Sequence, residues 1–371
     1  MERRHEMIRF RGIRLGVPVL SAFALLAVLL PTKTVAQSYV CRDAMRMFQQ
    51  RRWSDAADAF DQCEQSSPGQ TSALLFRGKS LINLQEFDDA AMALHSYAQS
   101  HPQSDDALYL LAFISFRKDD PTGSLHLFAQ AARLKPPSAN DLTIAALDYV
   151  LLKDYNDAAH YLDLSLKINP DDTEARYHLG RVRYQQNQFD LAIAEFEGVL
   201  KRDPGNEKAQ DNLGLSLEAK NQVEPALGAY RKAIQIDESA AAHSEQPYLN
   251  LGSLLAKSGR YDEAIPLLTR AAEIAPDQFK VHYELARVYF DFNRLELARQ
   301  HAQAAVKLDP NDSTGHYLLG RIYRRLGEKD LANQQFQRTS QIMHDRDTHS
   351  AGGMVSGTDL QSDSHAHDPH E

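Results

Sequence analysis

A period of 34 residues runs through most of this chain of 371, and few folds tolerate such regularity. The stretch from Tyr177 to Pro204 serves as a ruler, with Leu179-Gly180, then Ala192, Phe196 and Pro204. One step forward the same places hold Leu213-Gly214, Ala226 and Tyr230, and one step back they hold Ala145-Ala146, Ala158, Leu162 and Pro170. Earlier steps give Leu111-Ala112, Ser124, Phe128 and Pro136, then Gly78, Ala90, Leu94 and Pro102, then Ala44, Ala56, Phe60 and Pro68. After Asp237 the phase slips by four residues, Ala241 to Ser244, and resumes with Leu251-Gly252, Ala264, Leu268 and Pro276. Two further steps give Leu285-Ala286, Ala298, Ala302 and Pro310, then Leu319-Gly320, Ala332 and Phe336. Nine repeats therefore begin at residues 37, 71, 105, 139, 173, 207, 245, 279 and 313.

Each repeat holds two helix-length segments with apolar residues at helical spacing. One such hairpin cannot bury its apolar face alone, so neighbours must stack into a continuous core. In repeat five the segments run from Glu174 to about Gln186 and from Asp190 to about Lys201, with Asp190 expected at the N-cap and Pro204 past the end. Pro225 falls in a first turn, where its missing N–H does no harm. Small residues at position eight, Gly78, Gly180, Gly214, Gly252 and Gly320 among them, let paired helices approach closely. Asp43 at the front and Ser340 at the back replace apolar residues that would face a further repeat, so both ends are capped by polarity. Arg77, Pro121 and Gly123 depart from the pattern. The slip reads as a longer second helix through Ala240-Ala241-Ala242, or as a joint between repeats one to six and seven to nine; the alanines favour the helix.

This pattern resembles the tetratricopeptide repeat family over residues 37–346. The resemblance implies an all-α fold, a right-handed α-solenoid superhelix of tandem helix-turn-helix repeats. It also implies that the first helices line a concave groove, with positions two, five, nine, twelve and thirteen of each repeat pointing into it. That assigns an aromatic zone to Tyr109, Phe113, Phe116, Leu147, Val150, Tyr177, Arg181 and Tyr184. A polar middle follows at Asp211, Glu218, Ser253 and Lys257. A basic and aromatic zone follows at Lys280, Tyr283, Arg287, Phe290, Tyr317, Arg321, Arg324 and Arg325. Arginine and aromatic residues are favoured at binding hot spots, and the last zone suits an acidic or carboxylate-bearing protein segment. The competing reading packs these side chains against neighbouring helices or against the acidic tail. The lysine–asparagine clamp by which some family members hold chaperone tails is missing, since repeat six offers Asp211 and Leu215 in its place.

Within the first repeat the antiparallel hairpin brings Cys41 on one helix near Cys63 on the other, and a disulfide is expected; two separate buried thiols are the alternative. No phosphate-cradling loop, His-Glu-x-x-His or Cys-x-x-Cys occurs, so the chain reads as no enzyme, with no cofactor and no metal centre. His365-Ala366-His367 offers at most loose transition-metal binding, and Asn311-Asp312-Ser313 fits a glycosylation acceptor.

Residues 1–36 read as an export signal. Arg3, Arg4, Arg9, Arg11 and Arg14 lead an apolar run from Leu15 to Leu30, and Thr34-Val35-Ala36 offers a cleavage site. An uncleaved anchor is the alternative and the only route to membrane contact. The expected location is a bacterial periplasm or cell envelope, or secretion otherwise. That segment holds six Lys/Arg and two Asp/Glu, which leaves 35 basic against 48 acidic residues and argues against nucleic acid as a partner. Residues 347–371, rich in His, Asp and Ser, cannot bury enough to fold and read as a disordered tail. The whole reads as an exported, non-catalytic scaffold or adaptor for other proteins. The alternative is an accessory subunit docking an enzyme in a secretion, polysaccharide or peptidoglycan system.

Overall fold

The computed structural model describes the backbone of residues 33–66, 68 and 72–355 and the side chains of residues 41–66, 68 and 72–348. Eighteen helices and no strand are present among the described residues. They pair in chain order as α1 (Lys33–Gln49) with α2 (Trp53–Ser66), α3 (Ala73–Asn83) with α4 (Phe87–Ser100), and α5 (Asp105–Arg117) with α6 (Pro121–Leu134). Next come α7 (Ala139–Leu151) with α8 (Tyr155–Ile168), α9 (Thr173–Gln185) with α10 (Phe189–Arg202), and α11 (Glu207–Ala219) with α12 (Val223–Asp237). The last pairs are α13 (Gln246–Lys257) with α14 (Tyr261–Ile274), α15 (Phe279–Asp291) with α16 (Leu295–Leu308), and α17 (Ser313–Leu326) with α18 (Lys329–Val355). The chain divides into two compact units, one ending at Pro102 and the other beginning at Gln103. Each is an all-α stack of helical hairpins.

Every hairpin turns at the same residue. Position fifteen of all nine repeats has positive φ: Arg51, Gln85, Asp119, Lys153, Asn187, Asn221 and Asn293 at 57–63°, Gly259 at 77° and Gly327 at 86°. The left-handed conformation closes the first helix and aims the chain back along it, and only the asparagines and glycines adopt it with little strain. Many second turns are then fastened by N-caps. The side chains of Ser104, Asp120, Ser138, Asp154, Asp172, Asn206 and Asp312 each accept a backbone N–H from the first turn that follows. Pro121 is tolerated because it opens α6 while Asp120 caps Gly123 N at 2.9 Å.

The close approach at position eight is visible in space. A Cβ on Gly180 would lie 2.7 Å from the Phe196 ring, and one on Gly252 2.7 Å from Leu268. A second fastening recurs at position four. Arg176 donates to Glu195 at 2.8 Å and to the Pro170 carbonyl at 3.0 Å. His282 donates from Nε2 to the Pro276 carbonyl at 2.9 Å, and its Nδ1 lies 3.1 Å from Nδ1 of His301. His316 reaches the Pro310 carbonyl at 3.1 Å and the Gln335 amide at 2.7 Å. Each clasp ties a first helix to its own second helix and to the turn before it.

Three expectations are corrected. Asp190 is not an N-cap: α10 starts at Phe189 after Gln188, which makes no side-chain cap. Asp190 sits in the first turn and pairs with Lys220 instead. The four-residue slip neither lengthens α12 beyond Asp237 nor marks a joint. It forms a loop folded over Asp237, whose buried carboxylate accepts from Ser244 N at 2.7 Å and lies 3.2 Å from His243 Nδ1. One core cluster, from Ala226 and Tyr230 through Leu251 to Val288, runs across it. Finally, α18 continues to Val355 rather than ending ahead of a tail at residue 347. Earlier second helices stop before a proline such as Pro276 or Pro310, whereas the ninth repeat has His344 there. The expected signal up to residue 32, and His365 and His367 in the tail, lie outside the described residues. No helix among the described residues is long and apolar enough to cross a membrane.

Candidate partner-binding groove

In the second unit, first helices of successive repeats touch one another directly, α5 with α7, α9 with α11, α11 with α13, α13 with α15 and α15 with α17. The second helices make no comparable contact with one another among the described residues. The first helices thus form the crowded inner side of this stack.

The aromatic zone is largely committed to packing. Tyr109 donates its hydroxyl to the Lys135 carbonyl at 2.8 Å and sets its ring edge-on to Phe128 at 5.9 Å. Burial, with help from Asp141 and Asp105, pushes its phenol up to about 12. Tyr184 packs on Phe189, and Arg117 lies over Phe113 at 5.8 Å, while Phe116, Leu147 and Val150 are half-buried. Tyr177 leans on Phe196, and its hydroxyl accepts from Asn212 at 3.3 Å. Arg181 lies over Tyr177 at 5.9 Å and remains exposed.

The polar middle is partly internal. Asp211 is only 3% exposed, and Asn250 Nδ2 donates to both its oxygens at 3.0 and 2.9 Å. Burial raises its carboxyl to about 7 against the donation from Asn250. Glu218 accepts from Lys257 at 2.7 Å and from the Tyr230 hydroxyl at 2.9 Å, so both charges of that pair are engaged.

The basic zone sorts into engaged and available cations. Arg287 is neutralised within its own helix by Glu284 at 3.0 Å and by Asp291 at 3.9 Å, so this residue of the zone the resemblance implies already has its carboxylates. Phe290 is only 4% exposed and forms a floor rather than a lining residue. Arg321 lies over that floor at 4.7 Å and over Tyr317 at 6.0 Å, while Arg325 lies over Phe290 at 5.2 Å and donates to Asn293 at 2.8 Å. Arg324 sits over Phe336 at 5.5 Å, and Tyr317, 51% exposed, tilts against the same ring. Tyr283 stacks on Phe279, and Lys280 is exposed. Among the described residues no carboxylate lies within 4.0 Å of Arg321, Arg324 or Arg325. In this zone Lys280, Tyr317, Arg324 and Arg325 are thus exposed and Arg321 is half-buried, as Arg181 is exposed in the aromatic zone.

Stacked helical hairpins with a side-chain-lined inner face define a class of repeat protein that binds other proteins. Two family profiles, each described as tetratricopeptide repeat, match residues 149–220 and 255–322 and residues 44–94 and 77–139. This chain belongs to the tetratricopeptide repeat family. It is 21% identical over 257 residues to anaphase-promoting complex subunit 3 of Schizosaccharomyces pombe, covering 69% of this chain and 38% of that protein. It is 24% identical over 233 residues to the BBSome complex member BBS4 of Bos taurus, covering 62% and 44%. The chain spans less than half the length of either relative. Among solved structures, the APC/C hetero-tetramer Cut9–Hcn1 superposes with a TM-score of 0.54 at 16% identity, over 76% of this chain and 55% of that one. The likeness is one of fold, and the fold generally serves as a non-catalytic protein–protein interaction scaffold.

Proposed function

We propose that this chain is an exported scaffold that holds an acidic segment of a partner protein against α15 and α17. The observation that carries the reading is the set of stacked arginines without carboxylate partners, on a chain whose remainder is acidic. Guanidinium groups that lie over aromatic rings present a planar fork of donors, which suits carboxylates. Export is supported by the arginine-led apolar run before Gln37 and by the joined cysteines of the first repeat, since such bonds persist in oxidising compartments.

Replacing Arg321 and Arg324 by glutamate should lower partner capture from envelope extract by more than about tenfold, with the helical circular dichroism unchanged. Arg287→Gln, which removes an already neutralised charge, should change capture by less than about twofold. Equal losses in both variants would take the open arginines out of the account. Export is tested by the first residue of the chain recovered from the envelope: Gln37 is expected, and recovery from the cytoplasm with residues 1–36 intact overturns it.

A further inference from the structure

Repeat position ten is a core position. Ile114, Val182, Leu254, Val288 and Ile322 bury apolar side chains there. Ser80 and Ser216 turn their hydroxyls back to their own helix, onto the carbonyls of Phe76 and Asn212. Repeat four places Asp148 at this position, with 0% exposure. Repeat position twenty is alanine in eight of the nine repeats, and repeat three alone has Ser124 there. The two departures meet: the Ser124 hydroxyl donates to Asp148 Oδ2 at 2.5 Å across the boundary between α6 and α7. Oδ1 of Asp148 is buried without any partner.

An ionised carboxylate needs several donors or a cation to offset its lost hydration, and one hydroxyl supplies neither. The charged group whose field reaches Asp148 is Asp120 at the α6 N-cap, which repels a second negative charge. The other charged groups on the elements packed against α7 include Arg117 and Lys118 where α5 ends and Asp154 and Asp157 where α8 begins. We propose that Ser124 and Asp148 make the boundary between repeats three and four a proton-dependent joint, closed while the buried carboxyl is neutral and loosened when it ionises. Burial, opposed by the Ser124 bond and aided by Asp120, places the carboxyl at about 7 in the fold, against 3.8 for an ordinary aspartate. Because the folded value is the raised one, the stabilisation from the bound proton is complete below about pH 4 and is lost as pH rises through about 7. The joint separates Tyr109, Phe113 and Phe116 on α5 from Leu147 and Val150 on α7, so its state governs how the aromatic zone is held together.

The test is amide hydrogen exchange on the full chain at pH 6 and pH 8, corrected for intrinsic rates. Protection in α6 and α7 should fall by about tenfold over that interval, while α15 to α17 change little. Asp148→Asn, which keeps the shape and removes the ionisation, should abolish the difference. A tenfold fall that persists in Asp148→Asn, or no fall in the wild type, overturns the proposal. Should the variant not fold, the carbon-13 titration of the Asp148 carboxyl in the wild-type chain decides: a midpoint above about 6 supports the joint and one below about 5 removes it.

Discussion

Gly214→Ala should cost about 2 kcal/mol of stability, while Gly228→Ala, one helix later, should gain about 1 kcal/mol. Both glycines lie in helices, and alanine is the better helix former at each. The difference lies in the room available. A Cβ at Gly214 would stand 2.5 Å from Cε1 and 2.6 Å from Cδ1 of Tyr230, whereas nothing lies within 4 Å of one at Gly228. Tyr230 has no exposure, and its hydroxyl donates to Glu218 at 2.9 Å, so the ring cannot swing clear without abandoning a bond. Overpacking therefore outweighs propensity at the first site and is absent at the second. Urea unfolding midpoints measure both variants, and shifts of the same sign would show that the α11–α12 approach is not set by this contact.

Breaking the Cys41–Cys63 bond should remove about 3 kcal/mol from the first unit, as the chain-entropy relation gives for a loop of this size. The cysteines are 22 residues apart, their Cα atoms lie 5.1 Å apart, and they join α1 to α2. Up to Pro102 the described helices are α1 to α4, with a small aromatic cluster of Phe48, Phe60 and Phe76 as the centre of the core. For a body this small, a loss of that size is a large share of its stability. Hydrogen exchange on the full chain, with and without reductant and in Cys63→Ser, should show protection lost in α1 and α2 and kept from α5 onward. Unaltered protection in α1 and α2 would mean that the packing alone holds the hairpin.

The repeat boundaries, the paired helices and the close glycine contacts were legible because they rest on spacing, which a single sequence displays directly. The left-handed turn residue was harder to see, since position fifteen carries arginine, glutamine, aspartate and lysine as well as asparagine and glycine; only its constant place gives it away. The basic zone was half legible. Position nine assigns Arg287 to the groove lining, yet Glu284 and Asp291 stand three residues before and four after it, the helical spacing at which opposite charges meet. Position twelve marks a direction for Phe290, while its burial is a matter of the core cluster it joins with Leu318 and Ile322 of the following repeat. Ser124 and Asp148 were visible as departures from two columns of the repeat, but that they touch is a fact of packing between hairpins, 24 residues apart.

The clasps at position four give the second unit an uneven grain. Arg176 with Glu195 is an ionic tie, which added salt weakens. His282 with His301 sets two imidazoles against each other, Nδ1 to Nδ1 at 3.1 Å, and burial holds the His301 ring below the usual imidazole range. His316 with Gln335 is a tie between a ring and a side-chain amide. The three clasps, in repeats five, eight and nine, thus share one geometry and differ in chemistry, so added salt loosens the first and leaves the other two largely as they are.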